Sequence, residues 1–170
     1  MASLFVTTYK LYNEGRQFES AFTGFWLDVE AYDYDDLTEL FIGNKVDEDP
    51  ELMFTDYEDF PKELYGESLS EKDYQKIKEY AELDDTHKEG YEFLVDHMGY
   101  EHDLAISKAD EVCFDDQSPK DYAYDYVEEC YNVTPWLMGH LDFESIANEL
   151  LMANHIIEWN NKLVIGAEGI

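Results

Sequence analysis

Apolar positions in this chain change period twice along its length, from two to 3.6 and back to a mixture. Leu4 to Lys10, LFVTTYK, is β-branched and aromatic and predicts a strand. Asn13-Glu14-Gly15 supplies turn chemistry, and Glu19 to Leu27 predicts a returning strand interrupted by Gly24. Leu37, Leu40 and Phe41 fall at i, i+3 and i+4 and predict a short helix, capped by Asp33 or Asp35 and stopped by Gly43. Leu52 to Tyr57 predicts a third strand, ended by Pro61. Residues 1–63 therefore read as an antiparallel sheet with a short helix.

Residues 64–106 read as a helical unit. Ser70-Glu71-Lys72-Asp73 is a capping-box pattern, and Tyr74, Ile77, Tyr80 and Ala81 make the apolar stripe behind it. Thr86-His87-Lys88-Glu89 repeats the pattern, with Tyr91, Leu94, Val95 and Met98 as its stripe and Gly99 as its stop. Two short amphipathic helices need neighbours to cover both apolar faces.

Residues 107–170 read as a second α+β unit. Glu111 to Phe114 predicts a strand, and Ser118-Pro119 opens the clearest helix, with Ser at the N-cap and Pro at the first helical position. Tyr122, Ala123, Tyr126, Val127 and Cys130 share one face of it; Asp121, Asp125, Glu128 and Glu129 share the opposite face. Acids at i, i+4 repel by a few tenths of a kcal/mol, so helix stability does not explain that row. Thr134-Pro135 opens a short turn, and Asp142 caps a helix with Phe143, Ile146, Ala147 and Leu150 inward. Ile156 to Ile165, broken by Asn160-Asn161, predicts a hairpin. The expected class is α+β, in three small units.

Charge changes this picture. The 170 residues hold 41 Asp and Glu against 11 Lys and Arg, a net charge of −30, yet 45% are hydrophobic and the chain has 14 Tyr, 10 Phe and 3 Trp. Chains that charged stay disordered when apolar content is low; this one has enough to build a core. Its surface then repels itself, at a cost in stability. Duplex DNA carries one charge per about 1.7 Å, so thirty charges match about 50 Å of duplex, on the order of 15 base pairs. Presenting that density requires an elongated body. The acids are dispersed among aromatics, as in Tyr32-Asp33-Tyr34-Asp35-Asp36, rather than gathered in a tail. Such a surface repels nucleic acid and anionic membranes and calls for a basic partner. Halophilic solubility and calcium buffering are the other uses of such acidity.

No span approaches the ~18 apolar residues of a membrane helix. Met1-Ala2-Ser3-Leu4-Phe5 lacks the basic region of a signal peptide. Cys113 and Cys130 are expected as free thiols in a reducing cytoplasm, with Cys130 buried on its helix face. No metal site is expected: Asp33-Tyr34-Asp35-Asp36-Leu37 begins like a calcium loop, but Thr38 stands where that loop needs Gly. His97 and His102 have no third ligand nearby, and C-x-x-C and H-E-x-x-H are absent. No P-loop, dinucleotide fingerprint or G-x-S-x-G occurs, so neither an enzyme nor a cofactor is expected. Trp26, Trp136 and Trp159 are assigned to core or interface packing.

Several spacings converge on one family. Tyr12-Asn13-Glu14-Gly15 followed by Gly24-Phe25-Trp26 resembles the opening of the ArdA antirestriction proteins. Asp56-Tyr57-Glu58-Asp59-Phe60 resembles their D-Y-E-x-F segment. Ser118-Pro119-Lys120-Asp121-Tyr122-Ala123 resembles their S-x-x-D-Y-A helix opening, and His140 to Leu150, HLDFESIANEL, their Y-I-D-Y-E-x-x-A-R-D-L run. The final hairpin fits as well. Asn148 replaces the family's Arg and His140 its Tyr, while Tyr65 to Asp110 matches only in character.

The resemblance implies an elongated dimer of three small units per chain, carried by mobile elements or phages and acting in the host cytoplasm. It implies mimicry of bent B-form DNA in the groove of type I restriction-modification enzymes, at their specificity and methylation core, without binding nucleic acid. An acidic protein sequestering another basic DNA-binding partner is the alternative. The carboxylates expected to face the partner are Asp33, Asp36, Glu39, Asp47, Glu48, Asp49, Glu51, Asp56, Glu58 and Asp59, with Asp121, Asp125, Glu128 and Glu129. Val133, Pro135, Trp136, Leu137 and Met138 form an apolar cluster with two readings, core packing or a two-fold contact between chains. A dimer would double the charged length to about 100 Å.

Overall fold

β-branched and aromatic residues at the start of the chain form a central strand. In the computed structural model, which describes residues 1–15, 24–44 and 47–166, β1 (Ser3–Thr8) is followed by α1 (Tyr9–Gly15). A turn was expected at Asn13-Glu14-Gly15; those residues instead close α1, and most of the returning strand expected from Glu19 lies outside the described residues. β2 (Phe25–Asp28), α2 (Tyr34–Gly43), β3 (Leu52–Glu58) and α3 (Glu71–Ala81) follow. The chain continues through α4 (Asp85–Asp96), α5 (His102–Lys108), β4 (Cys113–Asp115), α6 (Pro119–Cys130), α7 (Pro135–Met138), α8 (Phe143–Met152), β5 (Ile156–Trp159) and β6 (Lys162–Ile165). The protein is α+β, with two three-stranded sheets among the described residues. It divides into two compact units, Met1–Lys88 and Glu89–Ile170, so the division falls inside α4.

In the first unit β1 lies between β2 and β3, antiparallel to both. Leu4, Val6, Leu27 and Phe54 from this sheet are buried with Leu37 and Phe41 of α2 and Tyr74 and Ile77 of α3. Fully burying side chains of this size stabilises by about 1.5–3 kcal/mol each. Tyrosine hydroxyls tie the layers to backbone: Tyr74 donates to Tyr32 O at 3.0 Å, Tyr65 to Phe54 O at 2.9 Å and Tyr34 to Leu69 O at 2.9 Å. The β1–β3 register jumps between Phe5, opposite Asp56, and Val6, opposite Phe54. Thr55 is the extra residue of a β-bulge.

In the second unit β6 lies between β4 and β5. Asn160 (φ 48°) and Asn161 (φ 63°) make the expected hairpin turn, in the left-handed conformation that Asn tolerates. Phe93 of α4 is fully buried and meets Phe114 and Trp159 edge-on. Gly90 lets α4 approach the 109–112 turn; a Cβ there would collide with the Ala109 carbonyl. α4 starts one residue before the expected capping box: Asp84, not Thr86, accepts from His87 N, at 2.9 Å. The buried stripe of α6 is Ala123 and Val127, facing α8 and its Ala147. Cys130, expected inside, is exposed, because α6 ends there and its buried stripe stops at Val127.

Candidate partner-binding surface

The carboxylates expected to face a partner divide largely by side-chain length. Aspartates reach their own backbone, and several serve the fold locally. Asp36 accepts from Asp33 N at 3.0 Å, the reciprocal half of a capping box at the start of α2, and Asp33 also pairs with Lys78. Asp121 accepts from Ser118 Oγ at 2.6 Å at the α6 N-terminus, and Asp125 from Gln117 Nε2 at 3.0 Å. Asp56 accepts from Tyr57 N at 2.9 Å. Asp59, at φ 62°, takes the N-terminal amine at 3.3 Å. The glutamates Glu39, Glu48, Glu51, Glu58, Glu128 and Glu129, with Asp49, are exposed, and no hydrogen bond or ion pair among the described residues engages their side chains.

Asp47 does not belong to the surface. It is 4% exposed and accepts from Thr8 Oγ at 2.9 Å and Asp49 N at 3.3 Å, with Lys10 Nζ 3.5 Å away. Burial alone would raise its pKa; the Thr8 and Asp49 hydrogen bonds and the Lys10 charge outweigh it and hold the carboxyl below its ordinary value. Its charge fixes the loop before β3 to the end of β1.

On α6 the row follows from the helical period: Asp121, Glu128 and Glu129 are exposed and Asp125 is half-buried. On β3 the bulge decides. In an unbroken strand Asp56 and Glu58 would share the face of buried Phe54. The unpaired Thr55 reverses the parity, so Asp56 sits opposite Phe5 and Glu58 opposite Ser3. Trp26 and Asp28 of β2 pair with the same Phe5 and Ser3. Asp28 and Trp26 were not among the expected partner-facing residues; the alternation W-x-D in β2 against D-x-E in β3 is the signal that marks them. Gly24 permits this packing, since a Cβ there would lie 2.6 Å from the Phe5 ring.

Buried and half-buried phenols register the acidic field. Tyr74 is pushed up by burial and then by Asp33, Asp28 and Asp36. Tyr65 is raised by burial and then by Asp56, Glu67 and Tyr57; Tyr122 by burial and then by Cys130, Asp115 and Glu129.

The apolar cluster after α6 splits. Met138 is buried within its own chain, and Val133 is half-buried. Pro135 and Leu137 are exposed, and Trp136 is 73% exposed, its ring set against His140, so core packing does not describe it. His102 is buried with Tyr91 Oη 3.0 Å from its Nδ1, and His97 stacks on Phe93. Among the described residues no three His, Cys, Asp or Glu side chains converge as metal ligands do, and no helix is long and apolar enough to cross a membrane.

No curated protein matches the chain. The family model described as antirestriction protein (ArdA) matches residues 4–164, nearly the whole length and every element described above. The chain belongs to the ArdA family of antirestriction proteins.

Proposed function

We propose that this ArdA protein inhibits type I restriction-modification enzymes by occupying the DNA groove of their specificity and methylation core, as a stand-in for bent B-form DNA. The observation that carries this is the set of unengaged carboxylates, Glu39, Glu48, Asp49, Glu51, Glu58, Glu128 and Glu129, mounted on or beside regular elements in both units. A groove lined with Lys and Arg gains by releasing counterions when phosphates enter, and fixed carboxylates meet the same groove. Fixed charges lose little entropy on binding, which favours a folded scaffold over an acidic tail. The inhibition is stoichiometric and needs no bond chemistry and no cofactor.

Exposed Trp136 and Leu137, beside Pro135, support a two-fold contact between chains, which would lengthen the charged surface. Sedimentation of the wild type against Trp136→Glu tests that part: a dimer that dissociates on substitution supports it, and a monomeric wild type removes it. Phage plating on hosts carrying different type I systems, with and without the expressed protein, tests the inhibition. Restored plating in at least one type I host is expected. Undiminished restriction in all of them, with the protein folded and abundant, would overturn it.

A further inference from the structure

We propose that the outer face of the first sheet is a receptor for an arginine side chain of the basic partner, with Trp26 as its platform and Asp28, Asp56 and Glu58 as its acidic frame. This rests on the groove-occupying function proposed above and names one of its contacts.

The register fixes the geometry. Trp26, Phe5 and Asp56 form one cross-strand row, and Asp28, Ser3 and Glu58 form the next on the same face. Adjacent strands lie about 4.8 Å apart and residues i, i+2 about 6.8 Å apart, so the four outer positions frame a patch of about 10 by 7 Å. Phe5 holds the indole from the side, with ring centroids 5.6 Å apart and planes at 79°. Trp26 nevertheless stays 45% exposed, unlike Trp159, which is half-buried against Phe93 and Phe114. An exposed indole amid carboxylates matches one side chain best. A guanidinium is planar and weakly hydrated, stacks on aromatic faces and donates in a fork to carboxylates. An ammonium is more strongly hydrated and lacks the plane, and nucleic acid is repelled by the same carboxylates. The charge of the patch therefore selects a cationic partner surface and its indole selects arginine within it.

The test uses the full chain and two end-blocked peptides of equal charge, nona-arginine and nona-lysine, titrated by calorimetry at physiological salt. Trp26→Ala is expected to weaken nona-arginine by about two- to fivefold, the range of an exposed cation–π contact, while nona-lysine changes little. Trp26→Phe, which keeps a ring against Phe5, should restore part of the arginine preference and carries the test if Trp26→Ala does not fold. Asp28→Asn with Glu58→Gln should weaken both peptides. An unchanged arginine-to-lysine ratio in both Trp26 variants, or an equal drop from Trp136→Ala, would overturn the proposal. So would a change of oligomeric state in Trp26→Phe, which would assign the face to a second copy of the chain. Because the peptides decide the arginine contact and phage plating decides the inhibition, either can fail without the other.

Discussion

Strand β3 and helix α6 both present rows of carboxylates, and they are built on opposite principles. In α6 the acids occupy one side of a regular helix while Ala123 and Val127 are buried on the other, so the row follows from 3.6 residues per turn. In β3 the row depends on a defect. Were Thr55 paired as an ordinary strand residue, Asp56 and Glu58 would turn toward the face of Leu4 and Val6, whose side chains are completely buried. The helical row tolerates change residue by residue; the strand row stands or falls with one backbone irregularity.

Giving Thr55 a partner, by inserting one residue between Phe5 and Val6, is the severest challenge to that difference. It would force two carboxylates into an apolar layer or unpair β1 from β3, at a cost of several kcal/mol by either route. Thermal unfolding followed by circular dichroism should show the first unit melted or strongly destabilised, whereas Thr55→Val, which keeps the bulge, should stay within about 1 kcal/mol of wild type. An insertion variant with unchanged melting would show that the bulge does not set the faces.

Neutralisation comes next in size. Exposed charge pairs contribute about 0.2–1 kcal/mol each, so converting Glu48, Asp49, Glu51 and Glu58 to amides should weaken inhibition by about 1–4 kcal/mol, and the Glu128–Glu129 pair by about half that. Any single amide should have little effect. Stability should hold or rise, because self-repulsion falls. If one glutamate alone abolished inhibition in a folded protein, the distributed surface would give way to a focused site.

Capping aspartates and serines should behave in the reverse manner. Ser118 Oγ accepts from Asp121 N at 3.2 Å, and Ser118→Ala should cost about 1 kcal/mol of stability while inhibition at saturating protein is kept. Glu128→Gln, on the same helix, should leave stability within error. Equal losses from both would erase the distinction between carboxylates that fold the chain and carboxylates that face outward.

The smallest effect is acid sensitivity at Asp47. Its pKa is depressed in the folded state, so its stabilisation is complete above the ordinary carboxylate pKa of about 3.9 and is lost as pH falls through the lower folded value. Asp73, depressed by its hydrogen bonds from Ser70, acts with the same sign. Relief of surface repulsion acts in the opposite direction, so the informative quantity is the difference between Asp47→Asn and wild type. That difference should shrink as pH is lowered from 6 toward 3; a constant gap would remove the charge of Asp47 from the account.

Much of this was legible in the sequence, and the gaps have physical causes. The Ser70 and Ser118 caps, the Asn160-Asn161 hairpin and the α6 row depend on contacts within a few residues, which local patterns encode. Asp47 was misplaced because its partners, Thr8 and Lys10, lie far away in the chain, and an acidic run gives no hint that one member turns inward. The outward turn of Asp56 and Glu58 came with no indication of the bulge that produces it, and Asp28 beside Trp26 emerged only once β1 had paired on both sides. The sorting of aspartate from glutamate was available in part: S-x-x-D at Ser70–Asp73 and Ser118–Asp121 marks an acid occupied by its own helix.

Under the proposed function, this surface takes the place of DNA. The most direct measurement is displacement of a labelled recognition-site duplex from a purified type I specificity–methylation core by the full-length protein, repeated across a range of salt. Stoichiometric displacement, with an affinity that falls steeply as salt rises, is the expected result. A ternary complex that retains the duplex, or an affinity indifferent to salt, would contradict it.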